Sequence, residues 1–291
     1  SLAASRQARK YTVRMILSSD PAAQATTLAA WSLGLPSLVA LVGYALAALL
    51  NEGSGTARVT LWVGWIAHLL AIVGDIAGFG SDSAIARFGF APALSMTVWL
   101  VIGVYLVESR FVPLPAVARR TLAVLGIAVI VLAWTFPGDF RPAVTSRWAP
   151  LHWALGIASY GLFGAAVLHA AMLNRAERHL RAASSVIAPR GMPLLQLERM
   201  TFRFVGAGFV ALSAAIVLGA WSGGPWHWDH KTVFSMLGWL VFASLLAGRR
   251  AFGWRGPAAT RVVYAGAALL LLAYVGSRFV LEVLLHRPPS P

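Results

Sequence analysis

Apolar runs long enough to cross a bilayer recur along most of this chain, at 28–50, 59–79, 91–107, 121–136, 151–174, 204–221, 232–248 and 262–285. A helix needs about 20 such residues to span about 30 Å of hydrocarbon. Inside lipid every backbone N–H and C=O must be satisfied by the protein itself, and runs of this length without two-residue alternation do so as helices. The expectation is an all-α polytopic membrane helix bundle of about eight transmembrane helices, with the lipid bilayer as its first partner. Composition agrees, with 58% hydrophobic residues and 12% charged, against about 25% charged in soluble domains. No linker or composition shift divides the chain, so 28–288 reads as one transmembrane domain behind a tail at 1–27.

The net charge of +14 is nearly all arginine. In a soluble protein such a balance would suggest nucleic acid, but here the arginines fall in short loops between apolar runs, where they set topology, and no nucleic-acid partner is expected. The segments 51–58, 108–120, 175–203 and 249–261 hold most of them, while 80–90, 137–150, 222–231 and the end of the chain hold few. By the positive-inside rule the first set is cytoplasmic, and both termini face outward, to the periplasm of a bacterial inner membrane. Arg6, Arg9, Lys10 and Arg14 conflict with an outward start. Translation from Met15 would remove the conflict and marks 1–14 as a candidate for non-native sequence. The chain has no cysteine, which excludes disulfides, thiol redox chemistry, thiolate metal sites and covalent haem attachment through its own residues.

The outward segment 222–231, Ser-Gly-Gly-Pro-Trp-His-Trp-Asp-His-Lys, concentrates Trp226, His227, Trp228, Asp229 and His230 behind residues that break a helix. An interfacial aromatic belt would look similar. His152 opens the fifth run and His286 closes the eighth at the same face, so three separate segments bring His or Trp to one side. Two neutral imidazoles can hold a haem iron from both sides while indoles cover the macrocycle. Arg278, Glu282 and His286 share one face of the eighth run at i, i+4 and i+8. Arg278 suits a haem propionate, and a salt bridge to Glu282 or Asp75 is the structural alternative. His68 lies near mid-membrane with Asp75 two turns later, as a haem ligand, a proton relay or a packing residue. His169 and His179 are expected to be solvated or interfacial. No catalytic nucleophile or acid–base pair is visible.

These residues resemble the CcsA-like cytochrome c assembly and haem-handling membrane proteins, which share an outward tryptophan-rich "WWD" loop. Trp226-His-Trp-Asp-His-Lys231 followed by Trp239-Leu-Val-Phe242 resembles W-x-W-D-x-K-E continuing into W-L-I-Y. Leu151-His152 through Ser159-Tyr160 resembles V-H-x(6)-S-Y, and Tyr274-Val-Gly276 to His286 resembles the closing Y-x-G-x-N to L-H segment. The likeness is good over 150–288, and its nearest form is the short YpjD and HemX-like inner-membrane branch. Thr232 stands where the pattern has glutamate, and Ala247 where it has an inner histidine.

The resemblance implies haem b held non-covalently at the outward face during cytochrome c assembly. His152 and His286 would be the metal ligands, with Trp226, Trp228, Asp229, His230, Arg278 and His68 as further cofactor contacts. The implied partners are haem, apocytochrome c and other cytochrome c biogenesis subunits. Two rivals stand beside it. One is a scaffold docking a soluble haem-biosynthesis enzyme through 175–203. The other is a small-solute transporter using His68, Asp75 and Arg278.

Overall fold

The computed structural model describes residues 21–50, 55–76, 87–111, 114–137, 139–140, 148–182, 193–222, 228–276 and 279–280, with side chains in the first helix described from Gly34. Eight α-helices account for nearly all of them. They are α1 (Pro21–Leu49), α2 (Gly55–Ile76), α3 (Phe90–Glu108), α4 (Ala116–Thr135), α5 (Ala149–Ala182), α6 (Leu194–Ser222), α7 (His230–Phe252) and α8 (Gly256–Leu271), the last running into a π-helical turn, Leu272–Gly276. Seven are long and apolar enough to cross a membrane, and the apolar part of α1 described with its side chains is Gly34–Leu49. The chain is a multi-pass membrane protein. Between the helices, β1 (Arg87–Phe88) and β2 (Asp139–Phe140) pair antiparallel and tie two loops together at one end of the bundle.

The helices pack around two apolar cores. The first gathers Tyr44, Leu61, Ile102, Leu106 and Leu122 from α1 to α4. Close approach explains its register, because a Cβ at Gly43 would meet the backbone of Gly64 at 2.8 Å and one at Gly126 would meet the Tyr44 ring at 2.6 Å. Small residues of this kind let helix backbones touch in lipid, where no hydrophobic force drives helices together. Trp65 and Trp99 clamp α2 to α3, each indole N–H donating to the other's carbonyl, at 2.9 and 3.0 Å, with rings 4.8 Å apart.

The second core gathers Phe163, Val205, Phe242, Leu245, Val263 and Leu270 from α5 to α8. Phe163 and Phe242 stack at 3.9 Å. The α7–α8 turn needs Gly253, whose φ of 66° is the left-handed conformation that ends a helix, and whose N–H returns to the Arg249 carbonyl. Tyr160 of α5 donates to the Leu270 carbonyl of α8 at 2.6 Å.

Helix ends that the arginine pattern assigns to one side meet at one end of the bundle. The Arg119 guanidinium of α4 donates to the Leu50 carbonyl after α1 at 2.8 Å, a cation at a helix C-terminus. Arg249 near the end of α7 meets Glu198 near the start of α6 at 2.8 Å. The opposite end holds the β1–β2 pair and the start of α5.

Candidate functional site

At the start of α5, the His152 ring donates from Nδ1 to the Ala215 carbonyl of α6 at 2.9 Å. A carbonyl can only accept, so Nδ1 carries a proton, and Nε2 is the nitrogen left to act as a metal ligand in the neutral ring. Gly219, one turn on from Ala215, makes room for the ring. A Cβ there would lie 2.9 Å from Cε1 of His152 and 3.2 Å from Nδ1. An oriented imidazole is thus built into the α5–α6 contact.

His152 lines a mainly apolar cavity of about 140 Å³ together with Thr97, Tyr160, Ile216, Lys231 and Tyr274. These residues come from α3, α5, α6, α7 and the turn after α8, so five segments converge on one end of the bundle. The cavity is smaller than the about 300–1,000 Å³ of pockets that enclose a whole small ligand, and suits the edge of a planar group. Lys231, exposed at the start of α7, brings its ammonium 5.7 Å from the Tyr274 ring centroid, a cation at the cavity wall that can meet a carboxylate. Oriented imidazole, apolar walls, aromatic rings and a cation are a donor set that fits haem.

Asp229 N-caps α7, its carboxylate accepting from the Thr232 N–H at 2.7 Å. Partial burial pushes its carboxyl up, but the Thr232 hydrogen bonds and the Lys231 and His230 charges outweigh this and hold it below the ordinary carboxylate value. Trp228 and His230 flank it and are exposed. Lys231, two residues beyond Asp229, places the α7 start at the same cavity as His152. Trp226, Arg278 and His286 lie outside the described residues, as does the rest of 223–227.

His68 sits elsewhere. It is buried, with Nδ1 3.0 Å from the Tyr44 hydroxyl and Nε2 2.7 Å from Ser95 Oγ. It borders a different cavity, of about 300 Å³, shared with Ser37, Asp75 and Ser95. The structure brings His68 together with α1 and α3, not with His152. Among the described residues no cluster of three or more His, Asp or Glu side chains gathers as a metal site.

One expectation is overturned. His169 is fully buried, with Nδ1 donating to the Ala165 carbonyl at 2.8 Å and Nε2 2.9 Å from Glu108 Oε2, off the line of a hydrogen bond. Solvation was expected from its nearness to the inner end of a run, but α3 closes over it and supplies a carboxylate 61 positions away. Gly219 and Lys231 also gain roles that spacing did not reveal. The nearest signal for Glu108 was its rarity, as one of only ten acidic residues.

Over residues 59–285 the chain matches the family described as Cytochrome C assembly protein. The cytochrome c biogenesis protein CcsA of Prochlorococcus marinus (strain MIT 9303) is 24% identical over 298 aligned positions, 86% of this chain and 93% of its own length. CcsA of Synechococcus sp. (strain CC9605) is 26% identical over 218 positions, covering 63% of this chain and 71% of that protein. No solved structure matches the chain.

Proposed function

This chain belongs to the cytochrome C assembly protein family, and from that premise we propose that it binds haem b at its outward face and presents it during maturation of c-type cytochromes. The observation that supports the reading is His152, which lines a cavity and has its Nδ1–H committed to the Ala215 carbonyl, so that Nε2 would be the ligating nitrogen. His286 would be the second axial ligand, Trp226 and Trp228 the platform, and Arg278 a partner for a propionate. Lys231, already in the cavity wall, would take the other propionate. Asp229 holds the start of α7, so the indole and the ammonium on either side of it keep a fixed register. Ligation by both histidines would limit the reaction of a bound haem with oxygen.

The outward face is assigned by the arginine distribution, which puts both termini in the periplasm of a bacterial inner membrane. Apocytochrome c and further biogenesis subunits are the proposed partners. His68 would support the bundle rather than ligate iron, because both of its ring nitrogens are already engaged. The transporter alternative draws on the cavity of about 300 Å³ that His68 and Asp75 border, and uptake dependent on Asp75 would favour it.

The test is the optical spectrum of detergent-purified protein from haem-replete cells. A low-spin bis-histidine spectrum that His152→Ala or His286→Ala abolishes supports the reading. Colourless protein, or a spectrum indifferent to both substitutions, rejects it.

A further inference from the structure

At the arginine-rich end, α6 and α7 diverge and leave a groove of about 1010 Å³. Its α6 wall is a stripe at helical spacing, with Arg199, Phe202, Arg203 and Phe209 on it, and its α7 wall includes Leu246 and Arg250. The cations stand at one end, and the rest of the lining is apolar and runs along two helices that cross the membrane. Arg249 also borders the groove but is committed, held by Glu198 at 2.8 Å with its guanidinium 3.5 Å from the Phe202 ring centroid. Arg255 shares that carboxylate at 3.8 Å. Among the described residues no carboxylate pairs with Arg199, Arg203 or Arg250, and all three are exposed.

We infer that this groove is a binding site for an anionic diacyl phospholipid, its phosphate held by Arg199, Arg203 and Arg250 and its acyl chains lying along Phe202, Phe209 and Leu246. Charge complementarity selects the occupant. Three guanidiniums without a carboxylate partner line one groove and suit a phosphate, while the apolar lining beside them has no use for a free anion. A basic pocket between transmembrane helices is the usual form of an anionic headgroup site. The site lies at the end of the bundle opposite His152, and the inference does not depend on haem binding.

The experiment is native mass spectrometry of the full chain in mild detergent, titrated with phosphatidylglycerol and with phosphatidylcholine of the same acyl length. Wild type should retain phosphatidylglycerol about twentyfold better or more, and the triple variant Arg199→Ala, Arg203→Ala, Arg250→Ala should lose about tenfold of that preference, each surface charge contributing severalfold. The triple lysine variant should keep most of it. The haem spectrum and thermal midpoint should not move. If the triple variant cannot be purified, single Arg203→Ala and Arg250→Ala variants make the same comparison with smaller losses. Equal retention of both lipids by wild type, or an undiminished preference in the alanine variants, overturns the proposal. So does displacement of phosphatidylglycerol by an equal concentration of inorganic phosphate, or by haem.

Discussion

Glu108 of α3 and His169 of α5 meet at 2.9 Å inside the bundle, the imidazole completely enclosed. Nδ1 of His169 is committed to the Ala165 carbonyl, so Nε2 is the ring nitrogen that faces the carboxylate. Removing either partner leaves a group that the interior cannot solvate. His169→Ala should cost about 3–5 kcal/mol, as for breaking a buried pair. Glu108→Gln, which keeps a donor toward Nε2 without a charge, should cost about 1–2 kcal/mol. Thermal unfolding in detergent reads both, and equal midpoints for the two variants would show that the pair is not enclosed as described.

Gly219→Ala places a methyl group 2.9 Å from Cε1 of His152. Alanine normally strengthens a helix relative to glycine by about 1 kcal/mol, so the thermal midpoint should hold or rise. The ring must turn away, breaking its bond to the Ala215 carbonyl. Haem bound per protein, read from the optical spectrum, should fall severalfold. Full haem content in this variant would show that His152 orientation does not matter.

Asp229 separates a structural role from an electrostatic one. Asp229→Asn keeps a capping side chain, whereas Asp229→Ala loses it at a cost of about 0.5–2 kcal/mol. Because the folded carboxyl titrates below its ordinary value, its contribution is complete above the unfolded value, near 3.9, and is lost as pH falls through the lower folded one. The protection of the first-turn amides of α7, the intrinsic exchange rate at the same pH divided by the observed one, should therefore be steady from pH 7 to 5 and fall below about pH 4. No fall in wild type, or the same profile in Asp229→Ala, would count against the cap.

Tyr44 offers a control remote from the haem site. Gly126→Ala would press a methyl group to 2.6 Å from its ring and should cost about 1–3 kcal/mol by overpacking. Tyr44→Phe strips His68 of one hydrogen-bond partner and should cost about 1–3 kcal/mol. Both should lower the thermal midpoint and leave the haem spectrum of folded protein unchanged. A lost spectrum at normal stability would implicate the His68 cavity in haem binding.

Hydropathy located all eight helices but misplaced several of their ends. The fifth run stops at 174, yet α5 continues to Ala182. Counting apolar residues measures the thickness of the hydrocarbon, whereas the helix persists through Arg175 to Arg181 because these are good helix formers, with Arg181 paired to Glu177 at 3.3 Å. The sixth run begins at 204 and α6 at Leu194 for the same reason. In the site, His152 stood out because it opens a run at the Trp-bearing face. Its anchor did not, since the Ala215 acceptor is a backbone carbonyl, and any residue supplies one. Glu108 and His169 were equally hidden, because each belongs to a different helix and only the α3–α5 packing joins them.

The two separate cores divide the burden of inheritance. The core around Tyr44 also draws in Met172 and Leu173 of α5 and Leu197 of α6, so a change near Tyr44 reaches the two helices that hold His152 only at their far ends. The second half must preserve an imidazole, a carbonyl and the absence of one methyl group in fixed relation. Substitutions should therefore be tolerated more readily around Tyr44 than around His152.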